Sequence, residues 1–444
     1  MQTSTQPAQQ VEAPKVRQAV TAAALGNALE WFDYGVYSYV AVTLGAVFFP
    51  QDDALVALLQ VYGVLAIGFL VRPLGGLFWG PLGDRIGRSG VLAATILLMS
   101  FGTLMVGLLP GYDSIGIWAP LLLVVARLLQ SFSTGGEYGG AATFIVESCS
   151  DKHRGFMSSW LEFGTLAGYV LGASLVLALQ LLLSAEAFAD WGWRLPFLIA
   201  APLGLFGLWL RLRLEDSAAF KALEAAHKVS KAPLREVLVD HWRELLLCGG
   251  LVLILNAAYY TVLTYLPGYL SGVLHMSDTH SLVLSVSVMI GMMVVITFIG
   301  RLSDRIGRKP VMLTALLGFI LLSWPSYWLL EQGVLWMTVV GLVVLHLLVV
   351  LLSATMPATL TAIFPTRVRY GGFAISYNVA TVIFGGFAPM LITLLIKETG
   401  IELMPAFYLM LAAAIALIPL SLLRESAGQP LRGSPALVRA ETPA

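Results

Sequence analysis

Long apolar runs alternate with short polar or charged breaks from residue 18 to residue 423. A transmembrane helix needs about 20 consecutive apolar residues, and breaks at charged, Gly/Pro and Asp/Ser clusters divide the chain into twelve runs of that order. The pattern therefore predicts an all-α membrane protein. The twelve predicted membrane spans, numbered 1 to 12 from here on, are residues 19–48, 55–81, 89–109, 117–147, 156–184, 193–213, 242–271, 280–302, 310–330, 334–363, 370–396 and 403–423.

The longest break between spans is residues 214–241, which are charged, helix-prone and too polar to cross a membrane. This segment separates six spans from six. The sequence thus predicts a short N-terminal tail, two six-helix halves joined by a linker, and a short C-terminal tail. Their predicted boundaries are 1–18, 19–213, 214–241, 242–424 and 425–444.

The positions of lysine and arginine predict the orientation of the spans. Of the 26 Lys and Arg residues, all but four lie in the N-terminus, in the loops that follow even-numbered spans, or in the C-terminus. Basic residues of this kind stay on the cytoplasmic side. We therefore expect a multi-pass protein of the plasma membrane, the bacterial inner membrane, with both termini in the cytoplasm.

Composition limits the classes of function. Only 12% of the residues are charged, against about 25% in a typical soluble domain. The net charge of zero argues against a nucleic-acid partner. The two cysteines, Cys149 and Cys248, lack the spacing of a metal or redox site. No metal cluster, nucleophile–base pair or phosphate loop is apparent, so we expect neither an enzyme nor a bound cofactor or metal.

Two loop motifs repeat 220 positions apart. "GPLGDRIGRSG" at 80–90 follows span 2, and "GRLSDRIGRKP" at 300–310 follows span 8. A second pair of signatures, at 150–156 and 365–372, follows spans 4 and 10, which points to a duplicated six-helix unit. Each motif's aspartate is predicted to cap a neighbouring helix and its arginines to reach across to the opposing half. These candidate latch residues are Asp84, Arg85, Arg88, Asp304, Arg305 and Arg308.

Span 1 carries two acids among aromatic rings. Glu30, Asp33, Tyr34 and Tyr37 fall at i, i+3, i+4 and i+7, so they share one face of a helix. That face must look into the bundle, because lipid does not tolerate carboxylates. The functional interpretation is a proton carrier, Asp33 or Glu30, beside an aromatic-lined substrate cavity. The alternative is a structural carboxylate satisfied by helix-end amides or by a buried pair.

Span 4 supplies an opposite charge within the membrane. Arg127 offers a planar fork that suits a carboxylate, either that of an acid on span 1 or that of a substrate. Glu137 on the same face is a third candidate proton carrier, and a purely structural pair of Arg127 with Glu137 is the alternative. Arg72 on span 2 is either a side chain that extends to the membrane surface or a second charge in the pathway.

Further aromatic and amide side chains are candidates for contact with a substrate. They are Trp31, Tyr34, Tyr37, Tyr138, Trp160, Asn256 and Tyr260. Pro267 predicts a kink in span 7. Glu162 on span 5 lies close to the cytoplasmic end, where we expect a gating or structural role.

Several stretches resemble a known family. The loop motif after spans 2 and 8 resembles that of the major facilitator superfamily. "RLLQSFSTGGEYGGAATFIVE" at 127–147 resembles the fourth-helix signature of its metabolite:proton symporters, and "GNALEWFDYGVYSYVA" at 26–41 looks most like the proline/glycine betaine transporters.

The resemblance implies two six-helix halves around a central cavity, acting by alternating access as a monomer. It also implies symport of H⁺ with a small zwitterion such as proline or glycine betaine, whose ammonium suits ring faces. The alternative substrate is a di- or tricarboxylate or a related organic acid (citrate, 2-oxoglutarate, shikimate). That class calls for a second unpaired cation, for which Arg72 is the candidate.

Overall fold

The computed structural model describes residues 9–11, 13–50, 54–212, 224, 233–434 and 437–439. Within these residues, ten helical stretches are long and apolar enough to cross a membrane. They correspond to predicted spans 2, 3 and 5 to 12, and are Gly63–Ile86, Arg88–Leu108, Asp151–Leu182, Gly192–Trp209, Trp242–Leu270, His280–Ile306, Arg308–Glu331, Leu335–Ile363, Thr366–Thr399 and Met404–Leu422.

Spans 1 and 4 complete the predicted twelve. Their helices are Ala13–Tyr39 and Trp118–Ser148, and both carry charged side chains in mid-helix. The side chains of Glu30, Asp33 and Arg127 are buried. Because charged groups inside a membrane must face the protein interior, these two helices are inner elements of the bundle.

Spans 7 and 11 change helix type along their length. In span 7 a π-helical segment separates two α-helices, and Pro267, which has no N–H to donate, lies in the second of them. The segments of span 7 are Trp242–Ala258, Tyr259–Tyr265 and Leu266–Gly272. Those of span 11 are Arg369–Thr381, Val382–Gly386 and Ala388–Thr399.

The other elements follow the predicted spans and the short connections between them. The remaining α-helices are Ala41–Phe48, Ala54–Ile86, Arg88–Leu108, Tyr112–Ile115, Arg154–Leu182, Ala185–Asp190, Leu195–Leu212, Pro233–Arg235, Asp278–Ile306, Arg308–Glu331, Leu335–Ser353, Met356–Ile363 and Met404–Leu422. Three 3₁₀ turns, Asp151–His153, Gly192–Arg194 and Thr366–Val368, and the π-helical segment Glu236–Asp240 complete the helical structure of the described residues.

One pair of short strands departs from the all-α prediction. Gln9–Val11 and Leu437–Arg439 pair in parallel, with Gln9 opposite Leu437. The pair joins the two terminal segments, outside the membrane spans. Polar tails gave no sequence signal for it, because three residues are too few to show an alternating pattern.

The predicted linker, residues 214–241, lies outside the described residues except for residue 224 and residues 233–241. In the described part, Glu236 forms an ion pair with Arg367 of the second half. The boundaries of the linker therefore stay a prediction from the sequence.

The two halves meet along two pairs of helices, span 2 with span 11 and span 5 with span 8. Glycines of the repeated loop motifs allow the approach. A Cβ at Gly80 would lie 2.8 Å from the Cα of Gly371, and one at Gly300 would lie 2.8 Å from the carbonyl oxygen of Gly155. These contacts lie where the loop motifs emerge, and we call this end of the bundle the motif side.

Span 4 packs closely against both halves through its own glycines. A Cβ at Gly139 would lie 3.1 Å from the Cα of Ala374 on span 11. A Cβ at Gly135 would clash with the carbonyl oxygen of Arg72 on span 2. Small residues at such positions let helix backbones come together in a membrane, which explains the glycine-rich stretch of span 4 by packing.

Candidate functional site

Asp33 on span 1 and Arg127 on span 4 form a buried ion pair. Nη1 of Arg127 donates to Oδ2 of Asp33 at 2.9 Å, and Nε2 of Gln130 donates to Oδ1 at 2.9 Å. The two charged side chains are 3% and 1% exposed. Span 4 thus satisfies both carboxylate oxygens, and the charge-assisted bond to the guanidinium is the stronger contact.

Glu30 forms a second ion pair one turn away. Its Oε1 accepts from Nη2 of Arg72 at 2.6 Å, and both side chains are buried. The question left open for Arg72 is thereby answered: its guanidinium lies inside the bundle and does not extend to the membrane surface. The two acids of span 1 have separate arginine partners, on spans 2 and 4.

The ring of Tyr34 lies between the two arginines. The guanidinium carbons of Arg72 and Arg127 are 5.4 and 5.2 Å from its centroid. Arg127 also lies 4.2 Å from the ring centroid of Tyr37. Guanidinium groups are attracted to ring faces at these distances. The aromatic face predicted for span 1 therefore holds both cations in place.

Six rings from both halves form a cluster around these pairs, which we call the aromatic enclosure. Trp31 contacts Tyr34 and Tyr169, with centroids 5.9 and 5.4 Å apart. Rings from opposite halves meet at two points, Trp31 with Tyr259 at 6.1 Å and Phe69 with Tyr260 at 5.4 Å. The enclosure comprises Trp31, Tyr34, Phe69, Tyr169, Tyr259 and Tyr260.

Several buried polar atoms in and beside the aromatic enclosure have no hydrogen-bond partner among the described residues. Leaving such groups unpaired is unfavourable by about 1–3 kcal/mol each. A cluster of them at one place can accept a polar ligand or water. These atoms are Nε and Nη2 of Arg127, Nε of Arg72, Oε2 of Glu30, Nε1 of Trp31 and the hydroxyl oxygens of Tyr34 and Tyr260.

Three other candidate residues have partners outside the aromatic enclosure. Tyr138 stacks on Tyr377 with centroids 4.4 Å apart. Asn256 accepts from Thr381 at 3.3 Å. Glu137 accepts from Thr95 on span 3 at 2.7 Å, inside the first half. The face shared by Arg127 and Glu137 on the helical wheel therefore does not bring Glu137 to the aromatic enclosure.

Trp160 lies away from the aromatic enclosure, in contrast to the expectation from the sequence. It lines a cavity of about 1040 Å³ on the motif side, with Arg17, Lys152 and Asp304. Its ring contacts Phe163, with centroids 5.0 Å apart. Because Trp160 is only two turns from the start of its helix at Arg154, it cannot reach the middle of the bundle.

Asp84 joins the first half to the second. Its carboxylate accepts from the backbone N–H groups of Tyr370, at 3.2 Å, and Gly371, at 2.7 Å, in the first turn of span 11. Arg88 donates to Asp84 at 3.2 Å and to the carbonyl oxygen of Thr366 at 2.8 Å. A carboxylate at a helix N-terminus is favoured by the free N–H groups and the helix dipole.

Asp304 makes the equivalent contact in the other direction. It accepts from the N–H groups of Gly155 at 2.7 Å and Phe156 at 2.8 Å, at the start of span 5. The two loop motifs thus close the motif side by two related caps, which we call the latches. Gly87 and Gly307 have φ of 110° and 100°, which lets the chain turn after each motif at little strain.

Glu147 is a buried acid beside the latches that was not predicted from the sequence. Nη1 of Arg369 on span 11 donates to it at 2.6 Å, and Arg88 donates at 3.3 Å. The repeat could have pointed to Glu147, because Arg154 and Arg369 occupy equivalent positions after spans 4 and 10 and each needs an acidic or carbonyl partner. Glu147 sits at the end of span 4, where a carboxylate can meet such an arginine.

Three arginines of the loop motifs do not reach the opposing half. Arg85 and Arg305 are exposed, and neither has a hydrogen bond or ion pair to the other half in the described part of the chain. Arg308 donates to the carbonyl oxygen of Ala358 and to Ser426, both of the second half. Arg85 and Arg305 immediately follow the aspartates, so their side chains project about 100° around the helix from them and face outward.

The segment after span 12 returns to the latches. Glu425 accepts from the N–H groups of Arg308 at 3.1 Å and Lys309 at 3.0 Å, capping the helix Arg308–Glu331. Partial burial alone would raise the pKa of Glu425. Four backbone N–H groups, which include those of Ser426 and Ala427, outweigh it and hold this pKa below its ordinary value.

The sequence pattern of a family described as "Sugar (and other) transporter" matches residues 19–242 and residues 221–437. The chain belongs to this family, and its fold is that of the major facilitator superfamily. It is thus a multi-pass membrane transporter. The predicted fold of two repeated six-helix halves is confirmed by a solved structure, described below.

The family contains close relatives of this chain. The "Glycine betaine/proline/ectoine/pipecolic acid transporter OusA" of Dickeya dadantii is 44% identical over 95% of this chain and 85% of its own length. The "Proline/betaine transporter" of Escherichia coli K12 is 44% identical over 95% and 86%. The solved proton:xylose symporter XylE shares the fold, with a TM-score of 0.78 at 17% identity, over 94% of this chain and 98% of that chain.

Proposed function

We propose that this transporter carries a small zwitterion, proline or glycine betaine or a related compound, in symport with H⁺. The observation that carries the proposal is the aromatic enclosure with its unpartnered donors, set around two acid–arginine pairs. The names of the relatives that are 44% identical support the choice of substrate. We further infer that the chain needs no cofactor and is not an enzyme. We also infer that it acts as a monomer, because one chain supplies both halves of the pathway.

The substrate carboxylate would bind Arg127. Its Nε and Nη2 are unpartnered, and a guanidinium can hold a carboxylate with two parallel hydrogen bonds. The substrate ammonium would then face the ring of Trp31, where a ring face contributes about 0.5–2 kcal/mol. This placement uses both ends of the zwitterion.

Proton coupling would follow from competition for Arg127. When a substrate carboxylate binds at Nε and Nη2, it draws the guanidinium away from the Nη1 contact with Asp33, and Asp33 loses its cationic partner while it stays buried. A buried carboxylate without a cation is strongly disfavoured, so Asp33 takes up a proton. Binding of substrate and binding of H⁺ thus favour each other, which is the requirement for symport.

Alternating access would proceed by separation of the two halves at the motif side. In the structure the latches of Asp84 and Asp304 hold that side closed, and the aromatic enclosure connects the halves in mid-bundle. Release of substrate on the motif side requires both latches to open. The predicted orientation makes the motif side cytoplasmic, and a reporter fused after residue 424 tests this, because a periplasmic signal would contradict it.

A di- or tricarboxylate substrate is not favoured. A second carboxylate would need a second cation that is free to bind it. Arg72 was the candidate, and its Nη2 is engaged by Glu30 at 2.6 Å. With each arginine of the centre paired to an acid, one substrate carboxylate can be accommodated by exchange, but two carboxylates would leave an uncompensated negative charge.

Uptake by purified protein in liposomes tests the proposal. Labelled proline and glycine betaine are offered with an imposed pH gradient, acidic outside, and then without one. We expect accumulation only with the gradient, and competition by unlabelled proline or betaine but not by citrate, 2-oxoglutarate or shikimate. Accumulation that citrate competes for, or that needs no pH gradient, would contradict the proposal.

A further inference from the structure

Glu162 on span 5 is a buried acid placed between the two halves. The hydroxyl of Tyr138 on span 4 donates to its Oε1 at 2.6 Å, and the hydroxyl of Tyr259 on span 7 lies against its Oε2. Thr165 adds a long contact of 3.5 Å. Tyr259 belongs to the second half, so this acid has one tyrosine partner from each half.

Glu162 differs from four other buried acids described above. Glu30, Asp33, Asp84 and Glu147 each form an ion pair with an arginine. Glu162 has no ion pair within the part of the chain that the structure describes, although it is fully buried. In that part of the chain, the hydrogen bonds to its carboxyl group all come from hydroxyl groups.

The groups that face Glu162 are neutral. They are Tyr138, Tyr259, Thr165 and, stacked behind Tyr138, Tyr377. From span 1, Asn27 donates to Thr165 at 2.6 Å and to the carbonyl oxygen of Leu161 at 2.7 Å. From span 8, the nearest acid, Asp304, binds at the start of span 5, about 9 Å away along the helix at 1.5 Å per residue.

The position of Glu162 along the bundle is set by its neighbours. Asn27 lies beside it on span 1, whereas Glu30 and Asp33 are roughly one and two turns further from the motif side. The latch at Gly155 and Phe156 lies on the other side of Glu162 along span 5. Glu162 therefore stands between the Asp33–Arg127 pair and the motif side.

We propose that Glu162 is a second proton-binding residue of the transport cycle, from which the coupled proton leaves toward the motif side. This inference rests on the proposed symport function. With the motif side closed, the acid is neutral, because a carboxylate without a cation in a dry site is strongly disfavoured. Its O–H then donates to the Tyr259 oxygen, while Tyr138 donates to the other carboxyl oxygen.

Opening the motif side changes these surroundings. Tyr259 moves away with the second half and water enters in its place. The carboxyl group then transfers its proton to water and stays behind as a hydrated carboxylate, which accepts from Tyr138. When the substrate has left and Arg127 pairs with Asp33 again, the proton of Asp33 passes through the tyrosine hydroxyls to Glu162, which is neutral once more. One proton thus enters at Asp33 and one leaves from Glu162 in each cycle.

The test uses Glu162→Gln, with Glu186→Gln as the matched control. Glu186 is exposed, on the short helix Ala185–Asp190. Glutamine keeps the size and the tyrosine contacts but cannot release a proton. We expect substrate exchange without a pH gradient to continue in Glu162→Gln, and proton-driven accumulation to fall by about tenfold or more. Glu162→Asp, which retains a carboxyl group, should restore part of the accumulation.

Proton influx upon substrate addition, read by a pH-sensitive dye inside the liposomes, separates two kinds of failure. If the parent protein shows no influx, the proposed function fails. If the parent shows influx and Glu162→Gln accumulates substrate with the parent's pH profile, only the role of Glu162 is wrong. Loss of exchange in both Glu162→Gln and Glu162→Asp would likewise overturn it, since the acid would then be structural.

A second inference concerns residues 423–434, which we call the tail segment. Leu431 is 3% exposed and packs between Val146 of span 4 and Ala358 of span 10. Arg154 of the first half donates to the carbonyl oxygen of Gln429 at 2.9 Å. The tail segment thus bridges the seam between the halves.

The second half holds the other end of the tail segment. Arg369 donates to the carbonyl oxygen of Arg432 at 2.9 Å, and the Arg432 side chain contacts Glu244 at 3.1 Å. The geometry points to a strap: the motif side cannot open until Leu431 leaves the seam, so the tail segment stabilises the closed motif side.

Native Cys149 reports this opening. It is buried at the end of span 4 and borders the cavity on the motif side. In a Cys248→Ala background, we expect Leu431→Asp to speed maleimide labelling of Cys149 several-fold. The matched control, Gln429→Asp, changes an exposed side chain of the same segment and should leave the labelling rate unchanged. Equal labelling rates in the parent, Leu431→Asp and Gln429→Asp would overturn the strap.

Discussion

The guanidinium of Arg127 holds the carboxylate of Asp33 at 2.9 Å, although the two residues are 94 positions apart in the chain. The pair lies between spans 1 and 4, within the first half. Part of the guanidinium remains unpartnered. An arginine that is shared between a protein acid and a substrate carboxylate can link proton binding to substrate binding.

Replacement of Asp33 by asparagine should separate exchange from accumulation. The introduced amide can still accept a hydrogen bond from Arg127 but cannot carry a proton. We expect Asp33→Asn to retain substrate exchange between the two sides of the membrane and to lose accumulation driven by a pH gradient. Exchange is measured with labelled substrate inside and unlabelled substrate outside. Undiminished uphill uptake would mean that Asp33 is not the coupling residue, with Glu30 and Glu137 next to be tested.

Replacement of Arg127 by alanine should remove both activities together. The variant loses the group proposed to bind the substrate carboxylate, and it leaves Asp33 buried without a cation, which disfavours the folded state by about 3–5 kcal/mol. The double variant Arg127→Ala with Asp33→Asn removes that second effect and should regain protein abundance but not transport. Arg85→Ala, at an exposed position, is the control and should transport normally. Substrate binding is read by competition in membrane vesicles.

Removal of a latch should favour the state in which the motif side is open. Asp84→Asn removes the charge that caps the first turn of span 11, and a lost helix cap is typically unfavourable by about 1 kcal/mol. We expect faster labelling of Cys149 from the motif side, impaired transport and near-normal protein abundance. Asp304→Asn should act in the same direction, because it removes the related cap of span 5. Low abundance with unchanged labelling would instead show that the motif serves folding.

Glu425 predicts a dependence of stability on pH. Its pKa in the folded protein is held below the ordinary value of 4.5. A group with a lowered pKa stabilises the fold above that value, and the stabilisation is lost as the pH falls through the folded pKa. We expect Glu425→Ala to lower the melting temperature in detergent at pH 7, and the difference from the parent to shrink as the pH falls below about 4.5. If Glu425→Ala lowers the melting temperature by the same amount at pH 7 and at a pH below about 4.5, Glu425 does not act as a charged cap.

The general architecture could be predicted from the sequence, because it depends on local patterns. Apolar runs gave the spans, and repeated motifs gave the two halves. The spacing of Glu30, Asp33, Tyr34 and Tyr37 placed them on one inward face, since a helix of 3.6 residues per turn fixes that relationship.

The partners of these residues could not be predicted in the same way. Which arginine meets Glu30 and which meets Asp33 depends on the rotation and depth of spans 2 and 4, which tertiary packing decides. Phe69 was missed because an aromatic residue in an apolar span looks the same whether it packs in the core or lines a site. The contact of Glu162 with Tyr259 depends on how the two halves dock.

Coupling through Asp33 predicts that the substrate itself drives protons across the membrane. Liposomes that contain the purified protein and a pH-sensitive dye are prepared at equal pH inside and outside, and proline or glycine betaine is then added outside. We predict acidification of the interior that requires substrate, is lost in Asp33→Asn and is absent with citrate. Entry of labelled substrate without any change in internal pH would contradict it.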